Sequence, residues 1–152
     1  MKKLLAVVLT FALLASMSVT AFAANTTGGD ADITTSIAPT YTVTIPANTT
    51  VVFNATETDF GAIEVAASQI HPNKCIKVEL TSDSKLENSI DATKVIPYAI
   101  KDSEGNVFTS ATYLTEGDKT ELSIHITADD WNAAYAGDYS DTVTFTVSYE
   151  NK

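Results

Sequence analysis

One stretch decides the fold of this chain: Ala136-Gly-Asp-Tyr-Ser-Asp-Thr-Val-Thr-Phe-Thr-Val-Ser-Tyr149. From Tyr139 onward, large apolar or aromatic residues alternate with small polar ones. A side-chain period of two predicts one long half-buried β-strand, with the large residues on its inner face. The Gly137-Asp138 pair supplies turn chemistry in front of that strand.

The same alternation recurs along the chain and predicts further short strands between turn signals. These strands are expected at residues 31–37, 41–45, 63–65, 76–80, 96–100 and 122–126. Residues 128–135 are the only helix-like piece, with Asp129 as a candidate cap. We therefore predict an all-β fold, an immunoglobulin-like antiparallel β-sandwich of about eight or nine strands. One short helical turn precedes the last strand.

The N-terminus has the pattern of a secretory signal peptide. Met1-Lys2-Lys3 is basic, an apolar run follows, and Ala21-Phe22-Ala23 is a cleavage site of the A-x-A type. The sequence thus predicts a signal peptide at 1–23, a flexible N-terminal arm at 24–30 and the sandwich domain at 31–152. After cleavage near Ala23 the protein is expected to be secreted, either extracellular or associated with the cell envelope.

The mature chain is strongly acidic. Of the nine basic residues all are lysines, and cleavage removes Lys2 and Lys3, which leaves seven against nineteen carboxylates and a net charge near −12. Such a surface disfavours nucleic acid and anionic membranes as partners. The apolar run after Lys3 is too short for a membrane span, and a retained signal anchor is the alternative to cleavage. No transmembrane segment is expected in the mature chain.

No pattern of residues indicates a catalytic site. A nucleophile-elbow motif is absent, and neither His71 nor His125 has a neighbour at zinc-ligand spacing. We therefore expect no enzyme activity, no catalytic residues and no cofactor. A hydrolase with two convergent carboxylates stays open as a third hypothesis, since acidic residues abound.

Calcium is the one metal that the sequence leaves open. The pairs Asp129/Asp130 and Asp138/Asp141 put carboxylates at the end of the sandwich, where oxygen ligands bind hard cations. Turns also require Asp and Gly, and no loop has the pattern of an EF-hand.

Aromatic residues before the last strand have two interpretations. Trp131, Tyr135 and Tyr139 form an exposed platform for a sugar ring or a partner, or they are structural. In the structural interpretation, which we favour, Trp131 closes one end of the sandwich. Tyr139 then anchors the turn like the tyrosine corner of such folds.

Cys75 is the only cysteine, so no internal disulfide forms. Its parity in the 76–80 strand places it opposite the apolar face. We expect an incidental thiol on a partly covered face; an intermolecular disulfide or a reactive thiol is the alternative.

Two motifs carry a resemblance to known proteins. The pattern Ala136-Gly137-x-Tyr139-x-Asp141-Thr142-Val143-x-Phe145 resembles the terminal strand of small secreted bacterial immunoglobulin-like domains. Tyr41-Thr-Val-Thr-Ile-Pro46, followed by Phe60-Gly61, resembles their opening. This set includes fimbrial subunits, spore-coat-protein-U-like proteins and WxL-type surface proteins.

The resemblance to fimbrial subunits implies a mode of assembly. It implies an immunoglobulin fold that lacks its last strand and is completed by the N-terminal segment of a neighbour. Gly137 and Tyr149 match the glycine and the aromatic residue of the terminal strand in such subunits. The 31–37 segment would then be the donor, with Ile33 and Ile37 entering a groove beside the strand that ends at Tyr149.

The chain also departs from these families. The usual disulfide is absent, Trp131 is followed by Asn132 and Ala133 rather than by the WxL signature, and no sortase motif is present.

We therefore expect a secreted, non-catalytic structural or surface-interaction protein, in one variant self-assembling by β-strand addition. Its expected partners are further copies of the chain or another surface protein. The alternative is a carbohydrate- or ligand-binding module that uses exposed aromatic residues, Trp131 and Tyr135, at one end of the sandwich.

Overall fold

The computed structural model describes residues 30–152, so the predicted signal peptide and all but one residue of the predicted arm lie outside the described residues. One compact unit spans residues 36–152, five residues later than the predicted domain start. The described part contains ten strands and one short helix. They are β1 Thr40–Thr44, β2 Glu57–Gln69, β3 Lys74–Thr81, β4 Lys85–Asn88, β5 Val95–Pro97, β6 Ala99–Asp102, β7 Ser110–Tyr113, β8 Lys119–His125, α1 Ala128–Ala133, β9 Tyr139–Ser140 and β10 Thr144–Asn151.

The strands form three antiparallel sheets, in the orders β1-β2-β8-β6, β10-β3-β7 and β5-β4-β9. One apolar core joins them. Inward residues of the first sheet, such as Ile63 and Leu122, cluster with Ile76 and Val78 of the second and Ile96 of the third. The predicted all-β, sandwich-like fold with a single short helix is confirmed.

The strand order corresponds to that of an immunoglobulin constant-type sandwich, whose sheets are A-B-E-D and C-F-G. Taken in chain order, β1, β2, β3, β6, β8 and β10 occupy the places of strands A to F. The β7 strand is added on the free side of β3. Within residues 30–152, no strand lies on the outer side of β10, where that fold has its last strand.

The side of the sandwich at β6 and β7 is closed by the chain itself. Residues 107–110 pass from the first sheet to the second. The N–H of Phe108 donates to the carbonyl of Ile100 in β6, at 2.9 Å, and the N–H of Leu80 in β3 donates to the carbonyl of Thr109, at 2.8 Å. Phe108 and Tyr113 are buried under this crossing.

The strand predicted at residues 31–37 is wrong. These residues form no strand and are exposed, and the side chain of Ile33 is 99% exposed. A period of two gives a segment two faces, but a strand also needs a hydrogen-bonding neighbour, which this segment lacks among the described residues. By contrast, β1 lies where a strand was expected, at 41–45, and it is an edge strand between Pro39 and Pro46.

The long terminal strand is also wrong as predicted, because it is divided between two sheets. Its start, β9, pairs with β4 of the third sheet, whereas β10 pairs along its whole length with β3. The break falls at residues 141–143. There the carboxylate of Asp141 accepts hydrogen bonds from the hydroxyls of Tyr98 and Ser82, which fixes the crossing between the sheets.

Two more predictions need correction. The strand expected at 96–100 is divided at Tyr98 into β5 and β6. The helix cap is Thr127 rather than Asp129. Its side chain accepts from the N–H of Asp130, at 3.1 Å.

Candidate functional site

The open side of the sandwich lies between the free edges of β1 and β10, here called the seam. Two aromatic pairs join the sheets across it. Tyr41 stacks on Tyr149 with ring centroids 5.7 Å apart, and Phe60 lies 6.1 Å from Phe145. Between the two pairs, the apolar side chain of Val147 is 37% exposed. The seam therefore leaves apolar surface and unpaired backbone groups side by side, the combination that edge strands normally avoid.

At the Phe145 end the seam opens into a cleft of about 1220 Å³. The cleft is bounded by the loop 45–54, by the core residues Phe60 and Ile96, and by residues 131–143. Among the described residues that line it, Asp138 and Asp141 carry the formal charges, and both are carboxylates. An apolar floor with a polar rim is the usual form of a site that receives side chains of a ligand or partner.

Trp131 is a structural residue of this cleft. It is 9% exposed, its ring contacts Phe53 edge to face at 5.6 Å, and its indole N–H donates to the carbonyl of Ala55, at 2.8 Å. This geometry agrees with the predicted closure of one end of the sandwich. An exposed tryptophan platform is therefore wrong.

Tyr135 and Tyr139 have different environments. The ring of Tyr135 is 63% exposed, and the ammonium group of Lys94 lies 4.9 Å from its centroid. The hydroxyl of Tyr139 donates to the carbonyl of Tyr135, at 2.9 Å, and accepts from its N–H, at 3.1 Å. This is the predicted tyrosine corner. Of the three aromatic residues considered for a sugar platform, only Tyr135 is exposed.

The carboxylate of Asp141 accepts hydrogen bonds from the hydroxyl of buried Tyr98 and from that of half-buried Ser82. Both donate to the same oxygen, Ser82 at 3.1 Å. Burial, and next the hydrogen bond to Asp141, raise the pKa of Tyr98 well above its usual range. Burial likewise raises the pKa of Tyr113. Asp141 thus holds β10 in place beside the cleft.

The calcium candidates are not brought together. Asp130 interacts with Thr127 at the helix start, Asp141 binds Tyr98, and Asp129 lies exposed in the first helical turn. Within residues 30–152, no group of three or more His, Cys, Asp or Glu side chains is arranged to hold a metal ion.

The remaining candidates lie apart from the cleft. Cys75 is 4% exposed, so the expectation of a partly covered thiol is wrong; the β10 carbonyls of Glu150 and Asn151 lie 3.8 Å from its sulfur. His71 is exposed in the turn between β2 and β3. His125 is half-buried, with Nε2 at 2.9 Å from the Ser123 hydroxyl.

The opposite end of the seam carries lysines. Lys74 lies with its ammonium group 5.6 Å from the Tyr149 ring, and that of Lys152 donates to the carbonyl of Pro72, at 3.0 Å. We call these two residues the lysine corner. The pairing of Thr40 with Gln69, across the β2–β3 turn from Lys74, shows that the chain enters β1 at this corner.

The sequence singled out Tyr149, Ile33 and Ile37 as candidate interaction residues, a role that stays a prediction for the two isoleucines, but it did not identify the partners of Tyr149 and Phe145 in the seam. Tyr41 and Phe60 are far from β10 in sequence, and no local pattern marks their contacts with it. Ile37 is exposed as well, although less than Ile33.

No protein-family model and no curated protein sequence matches the chain. Over residues 30–152, none of the helices has the length and apolarity needed to cross a bilayer. The functional argument therefore depends on the geometry of the seam and cleft.

Proposed function

We propose that this chain is a secreted, non-catalytic structural protein whose copies join by β-strand addition. The observation that carries the proposal is the outer edge of β10, which has no paired strand within residues 30–152 and lies above an apolar seam, at the place of the last strand of an immunoglobulin sandwich. In this proposal the incoming strand is the 31–37 segment of another copy. Its backbone bonds to β10, and Ile33 and Ile37 cover the seam.

Three features support this proposal. The edge of β10 offers eight residues in regular pairing geometry, since every one of them pairs with β3 on the other side. The 31–37 segment alternates in the way that a strand requires and leaves both isoleucines exposed. The resemblance to fimbrial and related surface subunits, and the predicted cleavage near Ala23, agree with assembly outside the cell.

The proposal that the protein is non-catalytic is supported by the hydrogen bonding of the two carboxylates that line the cleft. Asp141 accepts hydrogen bonds from Tyr98 and Ser82, so its role is to hold the crossing into β10. Asp138 alone then faces the cleft without such partners among the described side chains.

Substituting the exposed isoleucine of the 31–37 segment tests the proposal. Ile33→Asp places a charge against the apolar seam, so we expect polymers to disappear while the subunit stays folded and soluble. The matched control is Ile90→Asp, which adds the same charge at another exposed isoleucine. Sedimentation velocity reports the polymers and circular dichroism the fold.

Two results would contradict the proposal. Polymers that persist with Ile33→Asp exclude the segment as the donor. A monomer that unfolds with this substitution means that the segment completes its own chain.

A ligand-binding module is the second candidate, because the cleft is large enough for a sugar or a short peptide and the Tyr135 ring at its edge is exposed. Since Phe53 lies over Trp131 at the cleft, bound glycans should change the indole fluorescence. A spectrum unaffected by a glycan panel would leave this candidate without support.

A further inference from the structure

The cleft at the Phe145 end of the seam has features that strand addition does not use. We propose that it binds a small organic cation, in which an ammonium group is carried on an apolar body of about the size of an aromatic ring. Apolar side chains of the cleft cover the body, and a carboxylate and exposed aromatic rings face the charge. This inference concerns the cleft rather than the edge of β10, so it holds whether or not copies of the chain join.

The floor of the cleft is open to the core of the sandwich. Core residues such as Ile96 and Ile124 line it directly. Around them lie apolar side chains that pack against the core but stay partly exposed: Val51, Phe60, Leu86, Ala134, Val143 and Phe145. Covering this concave apolar surface is favourable, because it removes the surface from water. A ligand that fits the cleft therefore needs an apolar body.

The charge of the cleft is negative. Asp138 and Asp141 carry the formal charges among the described residues that line it. Tyr98 and Ser82 already donate to Asp141. The backbone of Asp138 is fixed, since its carbonyl accepts from the N–H of Ser89, at 2.8 Å. Its carboxylate has no hydrogen-bond partner among the side chains of residues 30–152, so it is free to face a cation.

The walls of the cleft also carry two exposed aromatic rings. Phe53, in the loop 45–54, is 71% exposed, and Tyr135, in the segment 131–143, is 63% exposed. The face of an aromatic ring attracts an ammonium group. The ammonium group of Lys94, which precedes β5, already lies 4.9 Å from the centroid of the Tyr135 ring. This contact is the chain's own example of the interaction that we assign to the ligand.

Trp131 is the only tryptophan of the chain, and it reports on binding because it lines the cleft and contacts Phe53. The probe is benzyltrimethylammonium, which has both the charge and the ring. We expect a saturable change of the indole fluorescence of the chain from residue 24 onward. Phenylacetate, whose charge is opposite, should bind roughly tenfold more weakly, since one attraction is lost and one repulsion is added. Tetramethylammonium, which lacks the ring, should also bind roughly tenfold more weakly.

A pair of aspartate variants tests the carboxylate. Asp138→Asn should weaken the binding of benzyltrimethylammonium about two- to fivefold, the range of an exposed ion pair. Asp129→Asn is the matched control, because it removes the same charge from an exposed position that does not line the cleft. It should leave the affinity unchanged. Thermal unfolding shows that both variants keep the fold.

A second pair of variants tests the aromatic face. Tyr135→Leu keeps an apolar side chain but removes the ring, so it should weaken the binding of benzyltrimethylammonium about two- to fivefold. Binding of neutral benzyl alcohol should not change. Lys94→Gln removes the ammonium group that competes for the ring, and it should strengthen the binding of benzyltrimethylammonium.

Several results would overturn the inference. They are the absence of a saturable change with benzyltrimethylammonium, equal binding of phenylacetate, and equal effects of Asp138→Asn and Asp129→Asn. Weaker binding after Lys94→Gln would contradict the role of the ring. A response to neutral glycans without a response to benzyltrimethylammonium would assign the cleft to a sugar instead. These results leave strand addition untouched, because the polymers are measured separately with Ile33→Asp.

Discussion

The two sides of the sandwich are built differently. At β6 and β7 the chain passes from sheet to sheet, and backbone hydrogen bonds from Leu80 and Phe108 close the opening. Between β1 and β10 the chain makes no such crossing within residues 30–152, and the rings of Tyr41 and Tyr149, and of Phe60 and Phe145, meet across the seam.

The difference shows what a further strand would have to supply. On the closed side, residues 108 and 109 are hydrogen-bonded to β6 and β3, and the ring of Phe108 is buried, although the outer edge of β7 has no strand beside it within residues 30–152. On the open side, the outer edge of β10 has no strand beside it within residues 30–152, and the side chain of Val147 is partly exposed. The comparison predicts that truncating the closed side costs the subunit its stability, whereas truncating the open side costs mainly its assembly.

The largest effect is expected on the closed side. Phe108→Ala removes a buried ring under the crossing, and we expect the free energy of unfolding to fall by about 3–5 kcal/mol. Val107→Ala, at the exposed neighbouring position, should change it by less than about 0.5 kcal/mol. Urea denaturation measures the free energy of unfolding of both variants. Equal decreases for Phe108→Ala and Val107→Ala would contradict the conclusion that the Phe108 ring is part of the core.

The next effect lies where the chain turns towards β10. Gly137 has φ of +145°, and a Cβ there would lie 2.5 Å from Nδ2 of Asn88, a buried side chain that donates to the carbonyl of Ala136. Gly137→Ala should therefore cost about 2 kcal/mol. Gly105→Ala is the control, because its φ is also positive but nothing lies near its Cβ. If Gly105→Ala lowers the thermal unfolding temperature more than Gly137→Ala does, the close approach of Asn88 to Gly137 is not what makes that glycine necessary.

Alkaline pH tests the anchoring of the open side. Because folding raises the pKa of Tyr98, the native state holds this proton more tightly than the unfolded chain. The stability it contributes is complete below about pH 10 and is lost as the pH rises above that value. Tyr98→Phe should make the alkaline decline shallower, and should cost about 1 kcal/mol at neutral pH through the lost hydrogen bond.

Tyr113→Phe is the comparison for this experiment, since burial also raises the pKa of Tyr113. Denaturation is measured at several pH values between about 8 and 11, on either side of the ordinary tyrosine pKa. It gives, for each variant, the slope of the free energy of unfolding against pH. An unchanged alkaline slope in both variants would show that neither hydroxyl is held by the fold.

The smallest effect on the subunit is expected in the seam. Val147 and Val78 are opposite each other on β10 and β3, but Val78 is buried and Val147 is partly exposed. Val147→Ala should lower the stability of the isolated subunit by less than about 1 kcal/mol, and Val78→Ala by about 2 kcal/mol. In polymers the loss at Val147 should increase. If Val147→Ala lowers the stability of the subunit and of the polymer equally, Val147 lies outside the contact between copies.

Local patterns predicted the local features of this fold. The period of two located β1, β3 and β8, and Trp131 and Tyr139 have the structural roles expected of them. Which strands pair is a tertiary property. The break at Asp141 depends on Tyr98, and the cleft depends on the loop 45–54 meeting residues 131–143, so neither was visible in the local sequence.

The most direct test of strand addition is the solution mass of the chain from residue 24 onward, by light scattering, beside a sample that lacks residues 24–37. The account predicts large polymers for the longer chain and a folded monomer for the truncated one. A monomer in both samples would contradict it. If that truncated monomer is also unfolded, the segment belongs to its own sandwich rather than to a neighbour's.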